Sequence, residues 1–329
     1  MRSFCEEYDF SLDTICSAIR RRSAKRVLIQ LPEGFLRCSE LLADKISRCA
    51  EGVEVIISLN PAHGSCLVDE EGLRTVKADL LIHVGHVQYP LYSPRVPALF
   101  VPAEYVGTVR LRSRDLLEAA EKRGAGSMAI YSTAQHQSLS HRLASELKSM
   151  GIKADYMGVV TGCIPPRIPR EVGLAVVVAG GVFHALGLGL RNVERADDIV
   201  AADPYTGEVR FIGSLIRRVL KVRYWKVATS RNAKVWLLIN GFYGQYRALL
   251  EDRLCRVIQG LGRRCIRAVS YVVTEEVLRN LDSDSIDVFV VLSCPRVAID
   301  DLYEYPKPVL TPGEALMALQ GIDRYVYPW

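Results

Sequence analysis

One strand–helix pattern occurs three times along this chain, and that repetition limits its possible folds more than any other feature. Apolar runs that end in a turn begin at Arg26 ("RVLIQLPEG"), Ser127 ("SMAIYSTAQ") and Lys234 ("KVWLLINGFYG"), each close to a third of the chain from the next. A stretch with apolar residues at three- and four-residue spacing follows each run, the mark of an amphipathic helix. Gly151 and Gly260 stand where two of these helices should be capped. Second, third and fourth apolar runs come next: "VEVIISL", "ADLLIHVGHV" and "PALFVPAE" in the first part; "KADYMGVV", "GLAVVVAGG" and "DDIVAAD" in the second; "RCIRAVSYVV", "IDVFVVLSCP" and "KPVLTP" in the third. Unbroken Val/Ile/Leu runs alternating with helices predict parallel sheets covered on both faces. The expected fold is α/β, a doubly wound parallel-sheet unit present in triplicate, with domains at 1–104, 105–212 and 213–329.

Composition excludes some alternatives. Hydrophobic residues make up 49% and charged residues 24% of 329, the balance of a soluble globular protein. No apolar run reaches the roughly eighteen residues of a membrane span. The start, "MRSFCEEYDF", has acids where a signal peptide has its apolar core, so a cytoplasmic location is expected. A net charge of +5 is too mild to imply nucleic-acid binding. The charge is uneven, however. No acid occurs between Glu208 and Glu251, while Arg210, Arg217, Arg218, Lys221, Arg223, Lys226, Arg231, Lys234 and Arg247 all lie there. This run reads either as a solvated helix face or as a docking surface for an acidic partner.

The nine cysteines divide into two sets. Cys5, Cys16, Cys38, Cys49, Cys255 and Cys265 fall in helix-like or strand-like stretches and read as packed thiols. Cys66 and Cys163 each follow the second strand of a unit, and Cys294 follows a third strand. Ligands of open parallel sheets gather at strand carboxyl ends, so three units packed around one axis would bring these thiols together. No CxxC occurs. Three thiolates suit zinc, with His63 or His86 as a fourth ligand, or an iron–sulfur cluster with one open iron.

The motifs "IQLPEG" (29–34), "GHVQYP" (85–90), "GGVFHALGLGL" (180–190), "DPYTGEV" (203–209), "GFYGQYR" (241–247) and above all "CPRVAIDD" (294–301) with "YPKPVLTPGEA" (305–315) carry a resemblance. Over nearly its whole length the chain resembles the archaeal diphthamide-biosynthesis enzymes, the 2-(3-amino-3-carboxypropyl)histidine synthase family. The resemblance implies three like domains around a central [4Fe–4S] cluster held by Cys66, Cys163 and Cys294. It implies a non-canonical radical S-adenosylmethionine enzyme that transfers a 3-amino-3-carboxypropyl group to a histidine of translation elongation factor 2. It also implies a homodimer that draws on an electron donor, with no membrane and no direct nucleic-acid contact. Gly180, Gly181, His184, Gln245 and Arg247 stand at family-like motifs and are the candidates for holding S-adenosylmethionine, the co-substrate. The family often has two adjacent cysteines where this chain has Ser65 and Cys66; the ligand position is retained. The competing readings are a quinolinate synthase-like iron–sulfur enzyme and a non-catalytic zinc-binding scaffold.

Overall fold

The computed structural model describes residues 3–329. They cluster into two compact units, one of residues 3–108 with Ala134–Ser138, the other of Val109–Thr133 with Leu139–Trp329. No helix among the described residues is long and apolar enough to cross a membrane.

In the first unit β1 (Tyr8–Asp9) pairs antiparallel with the later β6 (Glu104–Tyr105). The main sheet is made of β2 (Arg26–Gln30), β3 (Glu54–Ser58), β4 (Leu80–Val84) and β5 (Ala98–Val101), all parallel, in the order β3-β2-β4-β5. Every residue of β4 is buried, as expected of a strand covered on both faces.

The second unit holds two sheets. One contains β7 (Ser127–Ser132), β8 (Lys153–Val159), β9 (Leu174–Val178), β10 (Ile199–Ala202) and an antiparallel edge strand, β11 (Val209–Phe211), ordered β11-β10-β9-β7-β8. The other contains β12 (Val235–Asn240), β13 (Arg264–Val269), β14 (Val288–Val291) and β15 (Val309–Leu310), ordered β13-β12-β14-β15. In all three main sheets the parallel strands run second-first-third-fourth. Each winding therefore reverses between its first and third strands, where a crevice opens at the carboxyl ends.

The helix Gly213–Ser230 explains why two sheets share one unit. Its buried stripe begins with Ile216, Val219 and Leu220, which pack with Leu188, Ile199 and Ile212 beside the β7 sheet. The same stripe continues through Arg223 and Lys226, both buried. Arg223 forks onto Glu314 at 2.8 and 2.5 Å and onto the carbonyls of Ala298 and Val309, each at 2.7 Å. Lys226 donates to the carbonyl of Tyr303 at 2.7 Å, and burial pushes its pKa down to about 8. This corrects the docking reading for Arg223: a fully enclosed, paired guanidinium cannot meet a partner. Arg217, Arg218 and Lys221 remain exposed.

The expectation of six packed thiols is also corrected. Cys5–Cys38, Cys16–Cys49 and Cys255–Cys265 are disulfides, with Cα separations of 5.6, 6.0 and 5.5 Å. The first two join the N-terminal segment, including the helix Leu12–Arg22, to the segment carrying the helix Ser39–Cys49. Packing of these segments brings the sulfurs within bonding reach. Gly151 takes the left-handed conformation of a cap at φ +89°, but Gly260 lies inside its helix, and Gly262, at φ +71°, makes the turn instead.

Candidate functional site

Cys66, Cys163 and Cys294 are the cysteines outside the disulfides. Cys66 belongs to the first unit, Cys163 and Cys294 to the second. Within neither unit, among the described residues, do three His, Cys, Asp or Glu side chains form a group able to hold a metal ion.

The Cys66 loop leaves β3 and ends at the short helix Glu70–Thr75. Asp69 caps that helix, accepting from the Gly72 N–H at 2.9 Å, and also accepts a hydrogen bond from the Ser58 hydroxyl at 2.6 Å. Glu70 is buried rather than a simple first-turn acid: it holds Arg74 at 2.8 Å, the Arg95 N–H at 3.1 Å and the Tyr92 hydroxyl. His63 is exposed, while His86 Nδ1 lies 3.0 Å from Nε2 of the buried His83.

Cys163 follows β8 in a loop packed against the helix Phe183–Arg191. A Cβ at Gly162 would overlap the Phe183 ring, so a larger residue there would force the ring to move, while one at Gly187 would lie a tight 3.1 Å from the Gly162 carbonyl oxygen. The Thr161 hydroxyl accepts from the Ile164 N–H at 3.3 Å and lies 3.8 Å from Cys163 Sγ. Tyr327 donates to the Gly162 carbonyl. Burial raises the Tyr327 pKa well above the ordinary phenol value, with further contributions from Cys163, Cys294 and Glu314. One hydroxyl therefore feels both thiols of this unit.

Cys294 follows β14 and precedes Pro295, whose ring fixes φ and removes one donor. Arg296 lies 5.4 Å from the centre of the Phe183 ring and forms ion pairs with Asp300 and Asp301 at 3.5 and 3.3 Å. Burial, then the Arg296 charge, pushes the His184 pKa down to about 4, so this imidazole is neutral. The structure thus brings Cys163, Cys294 and His184 into one region through Tyr327, Phe183 and Arg296.

The remaining candidates line the same edge of their sheets. Gly180 and Gly181 form the exposed turn after β9, with Gly181 at φ +76° and its N–H 3.2 Å from Asp203 Oδ2. Gln245 is buried beyond β12, where a Cβ at Gly241 would lie 2.8 Å from its amide oxygen. Arg247 stacks its guanidinium 4.0 Å from the centre of the Trp329 ring. Sequence reasoning missed Tyr327, Arg296 and Gln30. Gln30 left a signal as a polar residue ending an apolar strand, and Arg296 as a member of the "CPRVAIDD" motif; Tyr327 left none.

Fold and site together define an α/β protein with wound parallel sheets and a reserved thiol on a carboxyl-end loop of each main sheet. The diphthamide synthesis protein family model matches residues 31–327, and the chain belongs to that family, which is the family of the 2-(3-amino-3-carboxypropyl)histidine synthases. It is 31% identical to the human 2-(3-amino-3-carboxypropyl)histidine synthase subunit 1, covering 98% of this chain and 74% of that protein. It is 29% identical to the 2-(3-amino-3-carboxypropyl)histidine synthase of Pyrococcus horikoshii, covering 95% and 91%. Among solved structures it resembles Dph2 from Pyrococcus horikoshii with a 4Fe-4S cluster, at a TM-score of 0.84 and 28% identity over 97% of this chain and 94% of that one.

Proposed function

We propose that this chain transfers the 3-amino-3-carboxypropyl group of S-adenosylmethionine to C2 of a histidine on translation elongation factor 2, the first step of diphthamide formation. In this reading Cys66, Cys163 and Cys294 are the thiolate ligands of a [4Fe–4S] cluster with one iron left open. The observation that carries it is the sorting of the cysteines: six are tied in disulfides, and the three left over each sit just past a strand's carboxyl end, one per main sheet. That donor set fits a thiolate-bound cluster. When bound, the cluster supplies the electron that opens the sulfur–Cγ bond of S-adenosylmethionine, with methylthioadenosine leaving. The net reaction is redox-neutral: Cγ–S breaks, Cγ–C2 forms, the C2 proton leaves, and the electron used in cleavage is recovered from the imidazole adduct.

The chain's own residues hold and orient. Pro295 stiffens the Cys294 loop, and Tyr327 fixes the backbone before Cys163. The glycine turn at Gly180 and Gly181 leaves room for the substrate to approach the backbone closely, and Arg247 offers a planar donor fork to its carboxylate. Neutral His184 and the amide of Gln245 add uncharged hydrogen-bonding groups. The three main sheets are read as copies of one unit, with domains at 1–104, 105–212 and 213–329. Their shared strand order supports this, as do Asp79 and Asp287, each of which accepts from two N–H groups at the start of its sheet's first strand. A cytoplasmic homodimer served by an electron donor completes the proposal.

The test is anaerobic purification followed by iron and sulfide analysis, then incubation with S-adenosylmethionine, reductant and elongation factor 2. Brown protein with roughly four irons per chain, methylthioadenosine, and a modified histidine on the factor are expected. Colourless, zinc-loaded protein that releases no methylthioadenosine would sink the proposal.

A further inference from the structure

Gln30 is the last residue of β2 and is 1% exposed. A primary amide buried there must satisfy two donor hydrogens and an acceptor oxygen. Its Nε2 donates to the carbonyls of Pro61 at 3.0 Å and Leu67 at 3.1 Å. Its Oε1 accepts from the Asp69 N–H at 3.0 Å and faces His83 Nδ1 at 2.9 Å. Three of these four partners are backbone groups of the Cys66 loop, one before the cysteine and two after it. His83 is enclosed on β4, and burial, then His86, pushes its pKa well below the ordinary value. The neutral ring therefore donates from Nδ1 to Gln30 and accepts at Nε2 from His86.

We propose that Gln30 is a positioning residue for Cys66: its amide clamps the loop on both sides of the thiol and presents the sulfur at a fixed point before any cluster is bound. The proposal rests on the reading of Cys66 as a ligand. A side chain that merely filled the core would satisfy itself on its own sheet, whereas this one spends three of its four bonds on the loop. The third sheet has a parallel. Asn240 ends β12, is 1% exposed, and accepts from the N–H groups of Gly241 at 3.1 Å and Arg247 at 3.0 Å, shaping the loop that holds Gln245.

The experiment compares wild type with Gln30→Leu and Gln30→Glu. Without cluster and without reductant, each full-length protein is treated with iodoacetamide, and alkylation rates at Cys66, Cys163 and Cys294 are read by mass spectrometry. Iron per chain is then measured after anaerobic reconstitution. Gln30→Leu should raise the Cys66 rate roughly tenfold through lost loop hydrogen bonds, leave Cys163 and Cys294 unchanged, and lower bound iron. Gln30→Glu keeps the volume but loses the two donors; it should accelerate Cys66 alone and carries the comparison if the leucine variant does not fold. No acceleration at Cys66, or equal acceleration at all three thiols, would overturn the positioning role. Wild-type protein that takes up no iron would overturn the ligand reading instead, and the alkylation rates would still decide the role of Gln30.

Discussion

Tyr327 gives its hydroxyl hydrogen to the carbonyl oxygen of Gly162, the residue before Cys163. The same C-terminal segment is fastened on both sides. Arg191 donates to the Tyr327 carbonyl at 2.9 Å, the Gly313 N–H to that of Pro328 at 2.7 Å, and the Tyr325 hydroxyl to Glu314 at 2.6 Å. It thereby ties the helix after β9 to the helix after β15. One strap thus joins the backbone before Cys163 to helices of both sheets, and the Tyr327 hydroxyl it carries feels Cys163 and Cys294.

Tyr327→Phe tests the strap. Loss of the hydroxyl leaves the Gly162 carbonyl without this donor, a cost of about 1–3 kcal/mol. The denaturant midpoint should fall accordingly. Iron uptake should drop, while alkylation of Cys66 in the cluster-free chain stays as in wild type. Unchanged stability and iron content would leave the strap without a role.

The cysteines should behave as two populations. In denaturant without reductant, a thiol reagent should label three of the nine, and peptide mapping should find Cys66, Cys163 and Cys294. Replacing any of these three with Ala should abolish cleavage of S-adenosylmethionine. Replacing Cys5, Cys38 or Cys255 with Ala should spare cleavage but lower stability, by about 2–4 kcal/mol per disulfide lost. Equal loss of cleavage from both groups would mean that packing had been mistaken for ligation.

Arg217, Arg218 and Lys221 are exposed bases on one helix of the basic run. If they dock the elongation factor, changing two of them to Glu should weaken its modification in a salt-dependent way, because exposed charges are screened over about 8–10 Å. Uncoupled methylthioadenosine formation should survive. Arg223→Met belongs to a different class. It strands the buried Glu314 carboxylate, and stability should fall by about 3–5 kcal/mol. A small effect of this change on the unfolding midpoint would contradict the enclosed pair.

His184 gives a pH signature. Its folded-state pKa is pushed from 6.5 down to about 4, so the unfolded chain binds this proton more readily. Stability from this residue is complete above the unfolded value and is lost as pH falls from 6.5 toward about 4. Unfolding midpoints measured across that window should fall less steeply for His184→Gln than for wild type. Parallel curves would show that the imidazole does not titrate as described.

The sequence by itself determined the strands and the loops that bear the thiols. Continuous runs such as "LAVVV" can be satisfied only by a sheet covered on both faces, and the turn after each run marks a carboxyl end whatever packs around it. It also carried a warning about the basic helix: Arg223 and Lys226 fall on the same three- and four-residue stripe as Ile216, Val219, Leu220 and Val227. Tertiary structure alone decided the rest. Cys5 finds Cys38, and Cys16 finds Cys49, because two segments pack together, and nothing in a one-dimensional spacing of 33 residues selects those partners. Tyr327 reaches Gly162 across a sequence separation of 165 residues. Gln30 reaches both flanks of Cys66 because parallel neighbours β2 and β3 place their carboxyl ends side by side. Such contacts are set by which faces pack and which strands adjoin, and periodicity specifies the face a residue occupies but not the group that meets it.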